Sequence, residues 1–379
     1  MGLKIQVLSS VAACEAIRTE WDELLRSIPQ ATVFDTFGWI KANLLAFPNP
    51  DTWVLAFHDA DATLLAVIPL VVRRGRRYLR TRRWVEFAGL PYADYGSCLV
   101  RSGWEAPVAE SLVQFCCSKA ANWDGVCLER LRIDDPCLGF IAAAAKNHGL
   151  IAVVRESDRI RLLTKQEFDG EAEGRHSSKS LRKSRNRLLE QGEIGFEVYD
   201  RSEPILARLD TFIAWHMERF AAKGVQSPLA DAKHGAFYRH IVEELAPQGQ
   251  IWLSALTCAE KAIAMRFSLL FSRRLHLYST CFDEAFAKYS PSMLQLEMLL
   301  QCAFKSGVEC VDFGIGESPQ KEFAGAATGQ TLAALEIYGD KLSSLEGRLY
   351  QVAGRARSRS QLVLKGGKLF RRFFPYNVR

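Results

Sequence analysis

The sequence predicts a mixed α/β protein built from a duplicated unit, each copy a central mixed sheet flanked by helices. Three observations carry this. The 379 residues suit two domains of roughly 150–200 residues each. One order of elements, strand, two helices, three strands, helix, strand, can be read twice along the chain. Consecutive strands in each copy lack crossover helices, which argues against a doubly wound parallel sheet. The expected boundaries are 1–170 for the first domain, 171–340 for the second, and 341–379 for a basic tail.

The first copy opens with the strand "KIQVLS" and a helix from Val11 to Arg26, with Trp21, Leu24 and Leu25 on its apolar side. A short helix follows at "FGWIKANLLAF". "TWVLAFH", the polar turn "DADA" and "TLLAVIPLVV" read as a hairpin. After an arginine-rich link, "YGSCLV" reads as a strand, Trp104–Ala121 as a helix and "GVCLERL" as a strand. A helix near Gly139–Asn147 and the strands "LIAVVRE" and "RIRLL" complete this half. The second copy has the strand "IGFEVYD", helices at "ILARLDTFIAWHMERFAAK" and "HGAFYRHIVEEL", and a three-strand meander over "IWLSALTC", "AIAMRFSLLF" and "LHLYSTCF". The helix "SPSMLQLEMLLQCAFKSG", the strand "VECVDFG" and the late strand "TLAALEIY" follow.

Composition narrows the function classes. A hydrophobic content of 48% with 24% charged residues describes an ordinary globular chain. Ten cysteines, scattered within apolar runs without any CxxC, read as buried free thiols in a reducing compartment, with no metal site. No apolar run approaches the ~20 residues that span a bilayer. "VAAC" at Val11–Cys14 resembles a lipoprotein cleavage box, but too little precedes it for a signal core. A cytoplasmic protein is expected. The tail from Lys341 holds ten Lys/Arg against one Glu, a local charge of +9, leaving the first 340 residues at −3. A basic, partly aromatic tail suits anionic lipid at the inner membrane, a lipid-linked (lipid-phosphate) sugar substrate, or solvation, not sequence-specific DNA.

The helix after "KYSPS" is the first candidate site. Ser290 reads as its N-cap, Pro291 fits the first helical position, and Leu296, Leu299, Leu300, Ala303 and Phe304 recur at helical spacing before Gly307. Uncovered N–H groups near Ser290–Met293 could receive a phosphate; a well-capped core helix is the plain alternative. "RHSSKSLRKSRNR" (Arg175–Arg187) holds six cations, Lys179, Arg182 and Lys183 among them, and no carboxylate. A solvated face normally mixes signs, so this one is expected to meet an anion. "RRGRRYLRTRR" (Arg73–Arg83) is a second such cluster. His216 and His276 read as satisfied structural histidines. No serine lies in a GxSxG context, which argues against hydrolase chemistry.

The order of elements, with "FDTFGWIKANLLAF", "GLPYADYG", "SSKSLRKSRNRLLEQGEIGFEVY" and the stretch from "KYSPSML" to "DFGIGESPQKEFAG", resembles the tandem acyltransferases termed BioF2-like or CelD (BcsL)-like. These are relatives of GNAT (Gcn5-related N-acetyltransferase) and Fem aminoacyltransferase proteins. The resemblance covers about Leu3–Tyr338 and implies two tandem GNAT-like domains. It implies an N-acyltransferase moving an acyl group from a thioester, acyl-CoA with acetyl the expected group, to an amine of a sugar or cell-envelope polysaccharide precursor. A Fem-like enzyme using aminoacyl-tRNA and a non-catalytic subunit of polysaccharide synthesis are the alternatives.

In such a family the donor phosphate would meet Lys288, Tyr289, Ser290, Ser292 and Met293. The glycine-rich Q/RxxGxG/A loop of ordinary GNAT proteins is replaced by Ser-Pro-Ser, which leaves room for another donor. Asp312 or Glu317 would orient the amine or act as base. Lys321 looks like the lysine of a Fem-like "YK", with Gln320 in place of the aromatic, and would steady substrate charge. Trp39, Tyr92, Asp94 and Tyr95 match first-half substrate positions, where aromatic faces beside an acid could hold a sugar; core packing with satisfied polar tips is the alternative. No tightly bound cofactor is implied.

Overall fold

The computed structural model describes residues 3–77, 80–96, 98–170, 179–316, 318–326 and 328–339. Within the first half the chain runs β1 (Lys4–Leu8), α1 (Val11–Glu15), α2 (Arg18–Arg26), α3 (Phe37–Ala46), β2 (Thr52–His58), β3 (Leu64–Arg77) and β4 (Arg80–Phe87). It continues through β5 (Leu99–Val100), α4 (Glu105–Ser118), β6 (Gly125–Arg132), α5 (Pro136–Asn147), β7 (Ile151–Thr164) and α6 (Lys165–Gly170). The second half is α7 (Lys179–Leu189), β8 (Ile194–Tyr199), α8 (Ser202–Ala222), α9 (Ala232–Leu245), β9 (Ile251–Cys258), β10 (Lys261–Phe271) and β11 (Arg274–Phe282). It ends with α10 (Pro291–Lys305), β12 (Cys310–Ile315), α11 (Pro319–Phe323) and β13 (Thr328–Tyr338). The duplicated order expected from the sequence is present in both halves.

The two expected sheets are in fact one. The strands run β1-β2-β3-β4-β6-β13-β7-β12-β11-β10-β9-β8, with β5 added beside β3. The last strand of each half has crossed over. β13 pairs antiparallel with β6 from Leu332↔Arg132 to Ile337↔Val126. β7 pairs antiparallel with β12 from Cys310↔Thr164, and β7 and β13 pair with each other over most of their length. Backbone groups that would form two open edges are thereby satisfied in the middle of the molecule.

Local departures from the sequence reading have physical causes. The first helix breaks at Ala16–Ile17 into α1, capped by Ser10 Oγ, and α2, which buries Trp21, Leu24 and Leu25. The arginine-rich stretch is not a link but the paired arms of β3 and β4, in register from Leu70↔Phe87 to Arg77↔Arg80. Its cations are partly spent there: Arg73 Nη1 lies 3.2 Å from Glu86, and Arg83 pairs with Asp124 at 3.1 Å. "YGSCLV" contributes only the two-residue β5. The two strands expected at 151–163 are one 14-residue strand, β7. All ten cysteines are free thiols and seven are buried. Among the described residues no helix is long and apolar enough to cross a membrane, and no cluster of metal-ligating side chains occurs. The basic tail lies outside the described residues.

Candidate functional site

α10 starts where Pro291 needs no N–H partner. Its inner face, Leu296, Leu299, Leu300, Ala303 and Phe304, is buried against β9–β11, as the spacing predicts. The cap differs from expectation. Ser290 sits in the left-handed region (φ 54°, ψ 49°) and its side chain caps nothing. Met293 and Leu294 both turn their N–H groups onto the Ser290 carbonyl, at 3.0 and 3.2 Å. That leaves the Ser292 N–H as the unspent backbone donor of the first turn.

Beside this tip lies Arg266 of β10, only 2% exposed. Its Nη2 reaches the Ser292 carbonyl at 3.5 Å and its Nη1 the Gln320 Oε1 at 3.3 Å, while Gln320 Nε2 donates to Ser292 Oγ at 2.7 Å. The Arg266 Nε has no partner, and among the described residues no carboxylate pairs with this guanidinium. Burial and the neighbouring Arg219 pull its pKa down to about 9. Arg219 of α8 donates to the Thr280 carbonyl at 2.8 Å and also carries an unpartnered Nε. A buried guanidinium such as Arg266, with no carboxylate paired to it among the described residues, is costly unless an anion completes the site.

Between the two halves lies a second arrangement. β11 and β12 pair in parallel only over Arg274↔Cys310, Leu275↔Val311 and His276↔Asp312. Past that pair β11 continues to Phe282 and β12 to Ile315 without pairing to each other, so the sheet opens as a V. At its apex His276 Nε2 meets Asp94 Oδ2 at 2.9 Å, and its Nδ1 stands 3.4 Å from Asp312 Oδ1. Tyr95 donates its hydroxyl to Asp312 Oδ2 at 2.7 Å, and the Gly314 N–H donates to Asp312 Oδ1 at 2.8 Å. Gly314 has φ 67°, and a Cβ there would collide with Asp94 Oδ2. Burial opposes charge on His276, but Asp312 and Asp94 override it and raise its pKa to about 9. Burial likewise opposes ionisation of Asp312; His276, Tyr95 and the Gly314 N–H outweigh it and hold the carboxyl below the usual range.

The geometry sorts the residues singled out from the sequence. Tyr95 bonds Asp312 directly and Asp94 is linked to it through His276, joining first-half and second-half candidates in one buried cluster. Asp312 is buried, both its oxygens accept hydrogen bonds and its pKa is depressed, so its surroundings suit a fastener better than a base. Trp39 is fully buried, edge-on to Phe34, Phe237 and Tyr278, and Tyr92 stacks on Phe47. These two build the aromatic core behind the cluster rather than an open sugar platform. Lys321 is 4% exposed and donates to the carbonyls of Gly314 (2.5 Å), Ile315 (3.1 Å) and Gly316 (2.5 Å). Its donors clamp the turn after β12, where the sequence comparison had them steady substrate charge. Glu317 lies outside the described residues.

At the α10 tip Ser290 and Lys288 are exposed and Ser292 lines the Arg266 site. Tyr289 is buried under the cations of Arg187 and Lys288, and Met293 packs beside it in the same apolar cluster. On α7, Arg185 is anchored to Glu297 of α10 at 2.8 Å. Lys179, Arg182 and Lys183 are exposed and form no ion pair among the described residues. Sequence reasoning missed Arg266 and set His276 aside. A lone arginine in the apolar strand "AIAMRFSLLF" was the available signal for the first. His276 acquires its partners from segments 182 and 36 positions away, which local pattern does not reveal.

With a parallel strand pair opening into a V and a helix tip at its wide end, the comparisons fall into place. Residues 175–322 match the family model of the acetyltransferase (GNAT) domain. The match lies within the second half and supports an acyltransferase-type domain there. No curated protein matches the chain. Among solved structures, the C-terminal domain of a putative lysylphosphatidylglycerol synthetase from Agrobacterium fabrum is similar at 12% identity, with 91% of this chain and 96% of that one covered and a TM-score of 0.55. FemX is similar at 11% identity, covering 92% and 99%, with a TM-score of 0.54. A protein of unknown function from Bacteroides thetaiotaomicron is 10% identical, covering 88% and 100%, with a TM-score of 0.58. At these identities the likeness shows a shared fold.

Proposed function

We propose that the protein transfers an acyl group, acetyl in the simplest case, from an acyl-CoA thioester to an amine of a sugar or cell-envelope precursor. The observation that carries this reading is Arg266, buried at the tip of α10 with an unspent Nε and no acidic partner among the described residues. A donor pyrophosphate would take that nitrogen and the Ser292 N–H. The thioester would lie in the opening between β11 and β12, held near the incoming amine. The amine nitrogen forms the new C–N bond, the C–S bond breaks, and the thiolate leaves as the amine gives up its proton.

Isothermal titration with acetyl-CoA tests this directly. Binding is expected in the native chain and should weaken at least about tenfold in Arg266→Gln, the value of one charge-assisted contact. Failure of any acyl-CoA to bind, or equal binding by Arg266→Gln, defeats the reading. A second reading, an aminoacyl-tRNA donor, is favoured by the exposed, unpaired cations Lys179, Arg182 and Lys183 on α7 beside α10. It predicts tRNA binding that falls steeply with salt and is lost in the triple Ala variant of those residues. The basic tail, docked on anionic lipid, would hold either form of the enzyme at the inner membrane.

A further inference from the structure

The proposed reaction makes no use of the arm formed by β3 and β4. β2 flanks β3 as far as Thr52↔Val71, and β6 flanks β4 only at Trp84↔Gly125 and Val85↔Val126. Beyond those pairs the two strands have each other, from Arg73↔Trp84 out to Arg77↔Arg80. Among the described residues, the last backbone contact from outside is the Asp124 N–H, which donates to the Arg83 carbonyl at 2.8 Å. Three further strand residues, at ~3.3 Å each, carry the ribbon roughly 10 Å beyond that point. Between Arg73 and Arg83 the sequence has seven arginines and no acid. Three of them root the arm: Arg73 pairs with Glu86, Arg83 pairs with Asp124, and Arg82 is 8% exposed. Arg74, Arg76, Arg77 and Arg80 make up the outer set. The register sets Arg74 opposite Arg83 and Arg77 opposite Arg80. Like charges directly across a ribbon are destabilising, and the arm holds no acid of its own to offset them. Arg74 is exposed and forms no ion pair among the described residues.

We infer that this outer arm docks on a bilayer surface rich in anionic phospholipid. The inference extends the lipid contact proposed for the tail and does not depend on the acyl donor. A second observation points the same way. Tyr338, at the end of β13, stands edge-on to Trp84 at 5.8 Å, and Trp84 is the residue opposite Arg73. The basic tail, at +9, therefore departs from the sheet beside the root of the arm. Being positive, it is no counter-charge for the arginines. Its "KLFRRFFPYNVR" interleaves cations with aromatics, a composition that a bilayer surface retains and that favours lipid over nucleic acid as the source of phosphate. The rest of the protein has the opposite sign. The first 340 residues stand at −3 with the seven arginines included and at −10 without them. An anionic surface thus attracts one end of the molecule and repels the remainder, which sets orientation as well as binding. An arm of about 10 Å is comparable to the depth of one headgroup layer. All seven cations are arginine, whose planar fork suits phosphate.

The test is co-sedimentation of the full chain with vesicles of mixed phosphatidylglycerol and phosphatidylcholine, against phosphatidylcholine alone, at low and high salt. Binding to the anionic vesicles only, weakening as salt rises, is expected. Combining Arg74→Gln, Arg76→Gln, Arg77→Gln and Arg80→Gln, with the tail intact, should weaken it at least about a hundredfold. The corresponding four Lys replacements should stay within about threefold of native affinity, because attraction to the surface follows charge. Acetyl-CoA binding should be unchanged in both variants, so failure here is distinguishable from failure of the donor reading. In the native chain, anionic vesicles should also shield the arm from trypsin, a readout that needs no variant to fold. The proposal is overturned if neutral vesicles bind equally well, or if the Gln variant retains native affinity, which would leave the tail as the whole anchor. It is likewise overturned if trypsin cuts the arm equally with and without anionic vesicles, or if the Gln variant loses tRNA binding and keeps vesicle binding.

Discussion

The two halves share one plan and differ where it matters. In the first, β4 and β6 pair in parallel over Trp84↔Gly125 and Val85↔Val126 before diverging; in the second, β11 and β12 do so from Arg274↔Cys310 onward. Counting from the first pair, Glu86 and Cys127 stand where the second half has His276 and Asp312. Glu86 makes a half-buried pair with Arg73, whereas His276 and Asp312 lie in a buried ionic cluster. The helices after the two openings also differ. α4 has Glu105 in its first turn, whose carboxylate accepts from the Gly103 N–H at 2.8 Å. α10 has no acid in its first turn and a buried arginine beside it. One helix tip has an acid of its own in the first turn; the other has none, as the proposed donor site requires. The two halves thus share a frame and differ in the charge at the helix tip.

The comparison is broken most sharply at His276. Replacing it by Asn strands two carboxylates in the interior and should cost about 3–5 kcal/mol in chemical denaturation. Next comes Gly314→Ala, which forces an L side chain into φ 67° and against Asp94; a loss of about 2 kcal/mol or more is expected from backbone strain and displacement together. Glu86→Gln, the first-half counterpart, should stay within about 1 kcal/mol, as part-exposed pairs do. Equal losses from His276→Asn and Glu86→Gln would erase the asymmetry.

Acidity sharpens the same contrast. His276 is raised from 6.5 to about 9, so its contribution is complete below pH 6.5 and fades as pH climbs through about 9. His216, buried against Ser227 and lowered to about 4 by burial and by Arg219 and Lys223, acts oppositely: its contribution is complete above 6.5 and fades as pH falls towards 4. Unfolding measured from pH 4 to 10 should show both limbs, and only the alkaline limb should vanish in His276→Asn.

Much of this was legible before any coordinates. The amphipathic spacing of α10, the meander β9–β11 and the doubled order of elements follow from local periodicity, and they survive intact. Asp94, Tyr95 and Asp312, each legible in its own segment, meet in one cluster through His276. What stayed hidden depended on distance in the chain. Nothing near Ile151 or Thr328 signals that their strands trade places, because a half-buried strand reads alike whichever neighbour it joins. The left-handed Ser290 likewise arises from the tight turn before α10 rather than from its own preference, since serine in that position ordinarily caps.

The crossing of β7 and β13 has a practical corollary. A chain severed near residue 170 would leave the first fragment with a strand whose two neighbours, β12 and β13, belong to the other piece. The second fragment would carry β13 without β6 or β7. Neither piece should be well behaved in isolation, yet made together in one cell they should knit into a single active body. A linker insertion at that point is thus a natural place to build a split reporter of assembly.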